Sequence, residues 1–70
     1  MQDRKFPKIR GAIREKYGTQ ASFAQALGVN PSTLVKKLSG KSPWSAEEVK
    51  RASILLDIPI ERVALYFFAD

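Results

Sequence analysis

The segment from Gln20 to Ser39 constrains the fold more than any other part of the chain. It reads QASFAQALGVNPSTLVKKLS, and its apolar residues recur at helical spacing on both sides of Gly28. Glycine is the residue type that most often ends a helix, and Asn30 followed by Pro31 supplies a cap and a first-turn proline for the next one. The segment therefore predicts two short helices joined by a tight turn, a helix-turn-helix motif.

The residues around this motif predict three further helices. Gly18 ends a first helix and Thr19 is placed to cap the second, whereas Ser45 and Glu48 have capping-box spacing at the start of a fourth, which Pro59 terminates. The expected inward-facing residues are Phe6, Ile9, Ile13 and Tyr17 in the first helix, Phe23, Ala24 and Leu27 in the second, Leu34 and Leu38 in the third, Val49, Ala52 and Leu56 in the fourth, and Ile60, Val63, Ala64 and Phe67 in a fifth that begins near Ile60. The prediction is an all-α, compact five-helix bundle.

The residue inventory argues against catalysis. Seventy residues suffice for one small domain, and the chain has no Cys and no His, so thiolate ligands and the commonest general base are missing. The adjacent Glu47 and Glu48 would point about 100° apart on a helix, so capping explains them better than paired acid–base chemistry. We expect no enzyme, metal, cofactor or small-molecule substrate. Without a secretory signal or a long apolar stretch, we expect a cytoplasmic protein with no membrane partner.

The charge distribution favours a polyanionic partner. The formal net charge is +5, and no acidic residue occurs from Lys16 to Ala46, the window that contains the predicted motif. Residues 1–5 are expected to form a flexible basic arm, and residues 6–70 a DNA-binding domain. The arm either contacts the minor groove or phosphates of DNA or is a frayed, solvated terminus. The predicted partner is double-stranded DNA.

The third predicted helix carries the candidate readers of DNA bases. If Leu34 and Leu38 face the core, Ser32 and Lys36 project from the opposite side of the helix. The expected base-reading residues are Ser32, Thr33, Lys36 and Lys37, because short polar side chains and longer donors suit a major-groove helix. The expected phosphate ligands are Thr19 and Gln20 at the start of the second helix and Ser39 and Lys41 after the third.

The run AxxLGVxxSTL from Ala24 to Leu34, followed by Ser39-Gly40-Lys41, resembles the phage repressor/Cro (XRE-type) helix-turn-helix family. The resemblance implies a repressor-like bundle of about five helices and a sequence-specific transcription regulator. Members commonly bind operator DNA as two-fold dimers with the second motif helix, here about residues 31–39, in the major groove. The ending LDIPIERVALYFF is similar to that of small phage-encoded regulators of this class.

Two positions depart from the family pattern. The family usually has an apolar residue where Lys37 stands, and here the apolar position has moved to Leu38. Either Lys37 lays its stem on the core and lifts its ammonium out, or the helix is rotated. Pro31 occupies a position where relatives often carry a polar base-reading side chain.

The C-terminus supports a second interpretation. Phe67 is expected to pack on the core, whereas Leu65, Tyr66 and Phe68 either wrap onto it or form a homodimer interface. The alternative function is a small protein-interaction module that keeps the helix-turn-helix scaffold and uses this aromatic C-terminus. Trp44 is expected to staple the fourth helix against Val49.

Overall fold

The computed structural model describes residues 6–68. Its elements in chain order are α1 (Pro7–Tyr17), α2 (Gln20–Leu27), α3 (Pro31–Leu38), α4 (Ala46–Leu55), a single 3₁₀ turn (Ile60–Arg62) and α5 (Val63–Phe67). The all-α five-helix prediction is confirmed, whereas the predicted basic arm at 1–5 lies outside the described residues. None of the helices among the described residues is long and apolar enough to cross a membrane.

The core draws on all five helices. Its largest fully buried side chains come from α1, α2 and α3, and they are Ile9, Ile13, Phe23, Leu27, Leu34 and Leu38. Trp44 packs edge-on against both Phe6 and Phe67, with ring centroids 6.1 Å and 5.1 Å apart, and so joins the two ends of the described chain. The aromatic contacts of Trp44 are therefore with α5 and with the residue before α1. The staple on Val49 stays a prediction, and both residues pack against the core.

The turn between α2 and α3 has the predicted geometry. Gly28 adopts a φ of 89°, and its N–H and that of Val29 both donate to the carbonyl of Ala24, which closes the end of α2. A Cβ at Gly28 would also lie 3.2 Å from the guanidinium of Arg51. The positive φ therefore favours glycine here, whereas the Arg51 side chain is exposed and can move aside for a Cβ.

The start of the last helix differs from the sequence prediction. The sequence predicts inward positions for Ile60 and Ala64, but Ile60 is 87% exposed and Ala64 is exposed as well. After Pro59 the chain forms a 3₁₀ turn, whose three residues per turn shift the inward face relative to an α-helix. Ile58 before the turn takes the buried place, and Val63 and Phe67 pack inward as predicted.

Two exposed glycines allow a test of backbone conformation without steric interference. A Cβ at Gly11, in the middle of α1, or at Gly18, at its end, would meet nothing within 4 Å, but only Gly18 has a positive φ, of 80°. We expect Gly11→Ala to stabilise the protein by about 0.5–1 kcal/mol through helix propensity. Gly18→Ala is the matched control and should destabilise it by about 1 kcal/mol, because alanine is strained at this φ. Thermal unfolding followed by circular dichroism measures both, and equal shifts for the two variants would contradict this account.

Candidate nucleic-acid interface

The exposed face of α3 is built by three residues at helical spacing. Ser32 and Lys36 are exposed as predicted, and Val35 lies beside them with half of its surface (52%) exposed. Thr33 is half-buried at the edge of this face. The sequence predicts Val35 only on the flank of this face. Its position three residues after Ser32 is nevertheless a sign that the two side chains share one face of the helix. The hydroxyl of Ser32 can donate to or accept from base edges, and the ammonium of Lys36 can donate to base acceptors. The two methyl groups of Val35 suit contact with the methyl group of thymine.

Lys37 does not lie on this face. It is 6% exposed, and its ammonium donates to a carboxylate oxygen of Glu48 at 2.7 Å and to the carbonyl oxygen of Pro43 at 2.9 Å. The ammonium also lies 5.9 Å from the ring centroid of Trp44. This corrects the prediction that Lys37 reads bases. Its ammonium is not lifted out to solvent, and a rotated helix does not explain its position, because Ser32 and Lys36 are still exposed and Leu34 and Leu38 are still buried.

Glu48 holds this arrangement from α4. The predicted capping box is present, since Ser45 Oγ accepts from the N–H of Glu48 and the Glu48 carboxylate accepts from the N–H of Ser45. The same carboxylate oxygen accepts from Lys37, so one side chain both caps α4 and anchors α3. These hydrogen bonds, chiefly the one from Lys37 and then the one from Ser45, hold the pKa of Glu48 below its ordinary value.

The lowered pKa of Glu48 predicts loss of stability in acid. A carboxyl with a depressed folded-state pKa stabilises the fold fully above its ordinary value of 4.5, and this contribution disappears as the pH falls through the folded-state pKa. We expect the free energy of unfolding from urea titrations to decrease as the pH falls from about 6 to 3. The decrease should be smaller in Glu48→Gln, with Glu47→Gln on the same helix as the control. An equal acid dependence in all three proteins would contradict this assignment.

The start of α2 forms a small polar pocket. It is lined by Arg10, Ile13, Arg14, Gly18 and Gln20. The hydroxyl of Thr19 accepts from the N–H of Ser22 and donates to its hydroxyl, so its hydrogen bonds serve the helix cap. The donors left at this pocket are therefore the first backbone N–H groups of the helix, the side chain of Gln20 and the side chain of Arg14. Arg14 was missed by sequence reasoning because only the packing of α1 on α2 brings it to this pocket.

Three hydrogen bonds of the turn after α3 converge on a single carbonyl oxygen. The carbonyl oxygen of Lys36 accepts from the Ser39 hydroxyl and from the N–H groups of Lys41 and Ser42. These donors are used within the turn, so the exposed Lys41 ammonium is the group that remains for a phosphate.

Arg10 ties the same end of α3 to α1, since its guanidinium donates to the carbonyl of Leu38 at 2.8 Å.

The predicted dimer residues separate into two environments. Tyr66 is half-buried and packs against the core, which removes most of it from any dimer surface. Leu65 and Phe68 are exposed, by 45% and 73%. The described chain therefore leaves two of the three predicted residues available to a partner.

Comparisons with known proteins support a relationship with phage proteins. A family model described as "Protein of unknown function (DUF739)" matches residues 4–70, so the chain belongs to that family. The chain is also similar to the solution structure of the modulator of repression (MOR) of the temperate bacteriophage TP901-1 from Lactococcus lactis. That match has a TM-score of 0.81 and 34% sequence identity and covers 91% of this chain and 86% of the other. No curated protein sequence matches the chain.

Proposed function

We propose that this member of the DUF739 family is a small phage regulator of transcription that binds duplex DNA through its helix-turn-helix. The observation that carries the proposal is the exposed surface of α3 formed by Ser32, Val35 and Lys36. Hydrogen bonds from Lys37 to Glu48 and from Arg10 to the carbonyl of Leu38 hold this helix against α4 and α1. The family-level resemblance to phage repressor/Cro proteins and the relative named as a modulator of repression support a role in phage gene regulation.

The surrounding charges suit a phosphate backbone. Arg14 and Gln20 flank one end of the motif and Lys41 the other. The window from Lys16 to Ala46 has no acidic residue, and Glu48, which reaches α3 from α4, is paired with Lys37. A duplex docked on α3 would therefore meet donors and cations at both ends of the helix-turn-helix motif, before α2 and after α3.

Selection of bound sequences from a random duplex pool at low salt tests this proposal. We expect a preferred sequence whose binding weakens steeply with salt, because neutralised phosphates release counterions. Lys41→Ala should weaken binding to all sequences alike and reduce the salt dependence. A palindromic preference with half-sites about 10 bp apart would indicate a dimer. Failure to enrich any duplex would refute the proposal.

A second candidate function is control of repression through a protein partner. It is favoured by the exposed Leu65 and Phe68 and by the name of the phage relative, which describes modulation of repression. A repressor-binding protein of this kind would retain partner capture in Lys36→Ala and lose it in the double variant Leu65→Ser/Phe68→Ser. Capture of a phage repressor that is unaffected by the double variant would exclude this C-terminal surface.

A further inference from the structure

The outer flank of α1 carries a groove that shares one residue, Arg14, with the proposed DNA-binding surface. The groove has a volume of about 530 Å³ and lies between α1 and the segment from the 3₁₀ turn into α5. Its lining is basic at Lys8, Arg14 and Arg62, small at Gly11 and Ala12, and completed by Glu15 and Tyr66. We propose that this groove is a docking site for an acidic helix of a protein partner.

Gly11 is the first observation that points to a partner. It lies in the middle of α1 in ordinary helical conformation, and a Cβ built there would meet nothing within 4 Å. Neither backbone conformation nor packing within the described chain requires glycine at this position, although glycine weakens a helix relative to alanine. A missing side chain on a helix surface allows another backbone to approach closely. Because Gly11 lines the groove, the approaching backbone would be that of the docked helix.

The net positive charge of the groove favours a partner segment with negatively charged side chains. Within the described residues the ion pairs are Lys16–Asp57 and Lys37–Glu48, so Lys8, Arg14 and Arg62 have no acidic partner. Three cations against the single carboxylate of Glu15 attract a segment with a net negative charge. The half-buried ring of Tyr66 and the methyl group of Ala12 provide the apolar floor on which a helix packs.

The position and composition of the groove favour protein over DNA. At about 100° per residue, Lys8, Gly11 and Glu15 lie on one flank of α1, and Arg10 and Ile13, which line the pocket at the start of α2, lie on the other. Arg14 lies between the two flanks. Glu15 would repel a phosphate backbone, whereas a helix with mixed side chains can place a donor beside it. Apart from Arg14, the groove is therefore separate from the residues proposed to contact DNA.

A display library of helix-forming peptides, about 18 residues long and so about 27 Å as a helix, tests this proposal on the full chain. The peptides share an alanine-rich framework with one randomised face. We expect selection to enrich acidic sequences with small residues opposite Gly11. An enriched peptide should bind Arg62→Glu at least about tenfold more weakly than the unaltered protein. Lys36→Glu makes the same charge change on α3 and should leave peptide affinity within about twofold.

Gly11→Leu separates steric contact from charge. It removes no cation, and the open space above Gly11 allows the variant to fold, which circular dichroism checks. It should also weaken the peptide at least about tenfold, and amide shifts of the bound protein should concentrate at Lys8, Arg62 and Tyr66. No enrichment, enrichment of peptides without acidic character, or equal weakening by Arg62→Glu and Lys36→Glu would overturn the proposal. Competition between the peptide and duplex DNA that persists in Arg14→Ala, which removes the one shared residue, would also overturn it, whereas failure to bind DNA alone would refute only the proposed function.

Discussion

Replacing Lys36 by methionine should abolish most sequence-specific DNA binding, whereas the same replacement at the adjacent Lys37 should leave it nearly unchanged. Both substitutions remove one positive charge from α3 and keep a side chain of similar length. The Lys36 ammonium is exposed beside Ser32, but the Lys37 ammonium is buried against Glu48 and Pro43. Loss of one good contact to a base edge costs about 1–3 kcal/mol, so affinity for the selected duplex should fall by about tenfold or more in Lys36→Met.

Fluorescence anisotropy with the selected duplex and with a scrambled duplex measures this effect. Lys36→Met should reduce the ratio of the affinities for the selected and the scrambled duplex, and Lys37→Met should keep that ratio within about twofold of the unaltered protein's. Circular dichroism establishes that both variants are folded at the temperature of the titration. An equal loss of specificity in the two variants would show that the exposed face of α3 does not read DNA as proposed.

Removing the charge of Glu48 should destabilise the fold strongly. Glu48→Gln keeps a side chain that can complete the capping box, but it leaves the Lys37 ammonium buried without its counterion. An uncompensated buried charge costs about 3–5 kcal/mol, and the partial exposure of Glu48 places the expected loss near the lower end, about 3 kcal/mol. For a domain of this size that is a large part of the total stability.

Lys37→Met should rescue this loss. Methionine fills the space of the lysine stem beside the Trp44 ring and needs no counterion, so the double variant Lys37→Met/Glu48→Gln should unfold within about 1 kcal/mol of the unaltered protein. Urea unfolding of the two single variants and the double variant gives the coupling energy between the positions. Lys36→Met/Glu48→Gln is the matched control and should show no rescue. A coupling energy near zero would mean that the ion pair does not hold α3 against α4.

The local sequence signals were sufficient for the presence of the helices and for several of their ends. They were not sufficient at Asn30, whose side chain makes no capping hydrogen bond to α3, or at the end of α4, which stops at Leu55 rather than at Pro59. Thr19, Gly28 and Ser45 act through hydrogen bonds and backbone conformations within a few residues, so their roles as N-cap, C-cap and capping-box residue could be predicted without tertiary information. The exposed positions of Ser32 and Lys36 followed from the same reasoning, because burial of Leu34 and Leu38 fixes the opposite side of α3. Whether these residues contact DNA is still a prediction.

Contacts between residues far apart in the sequence could not be predicted from these local signals. Nothing local indicates that Glu48 reaches from α4 to Lys37, eleven residues earlier, or that Arg14 lies beside Gln20. The inward position predicted for Ile60 was wrong because helical periodicity was assumed to begin at that residue, whereas the chain first makes a 3₁₀ turn. Tyr66 could not be separated from Leu65 and Phe68 because α5 is too short for its apolar pattern to define one face.

The segment from Gln20 to Ser39 by itself determined that the chain contains two short helices joined at Gly28, because caps and the left-handed turn act over a few residues. Only the tertiary structure decided which of two neighbouring lysines faces outward. Lys37 is held inward because α4 brings a carboxylate to it, and burying an ammonium is favourable only where such a partner exists. Lys36 has no such partner among the described residues and lies exposed on α3, where we propose that it meets DNA.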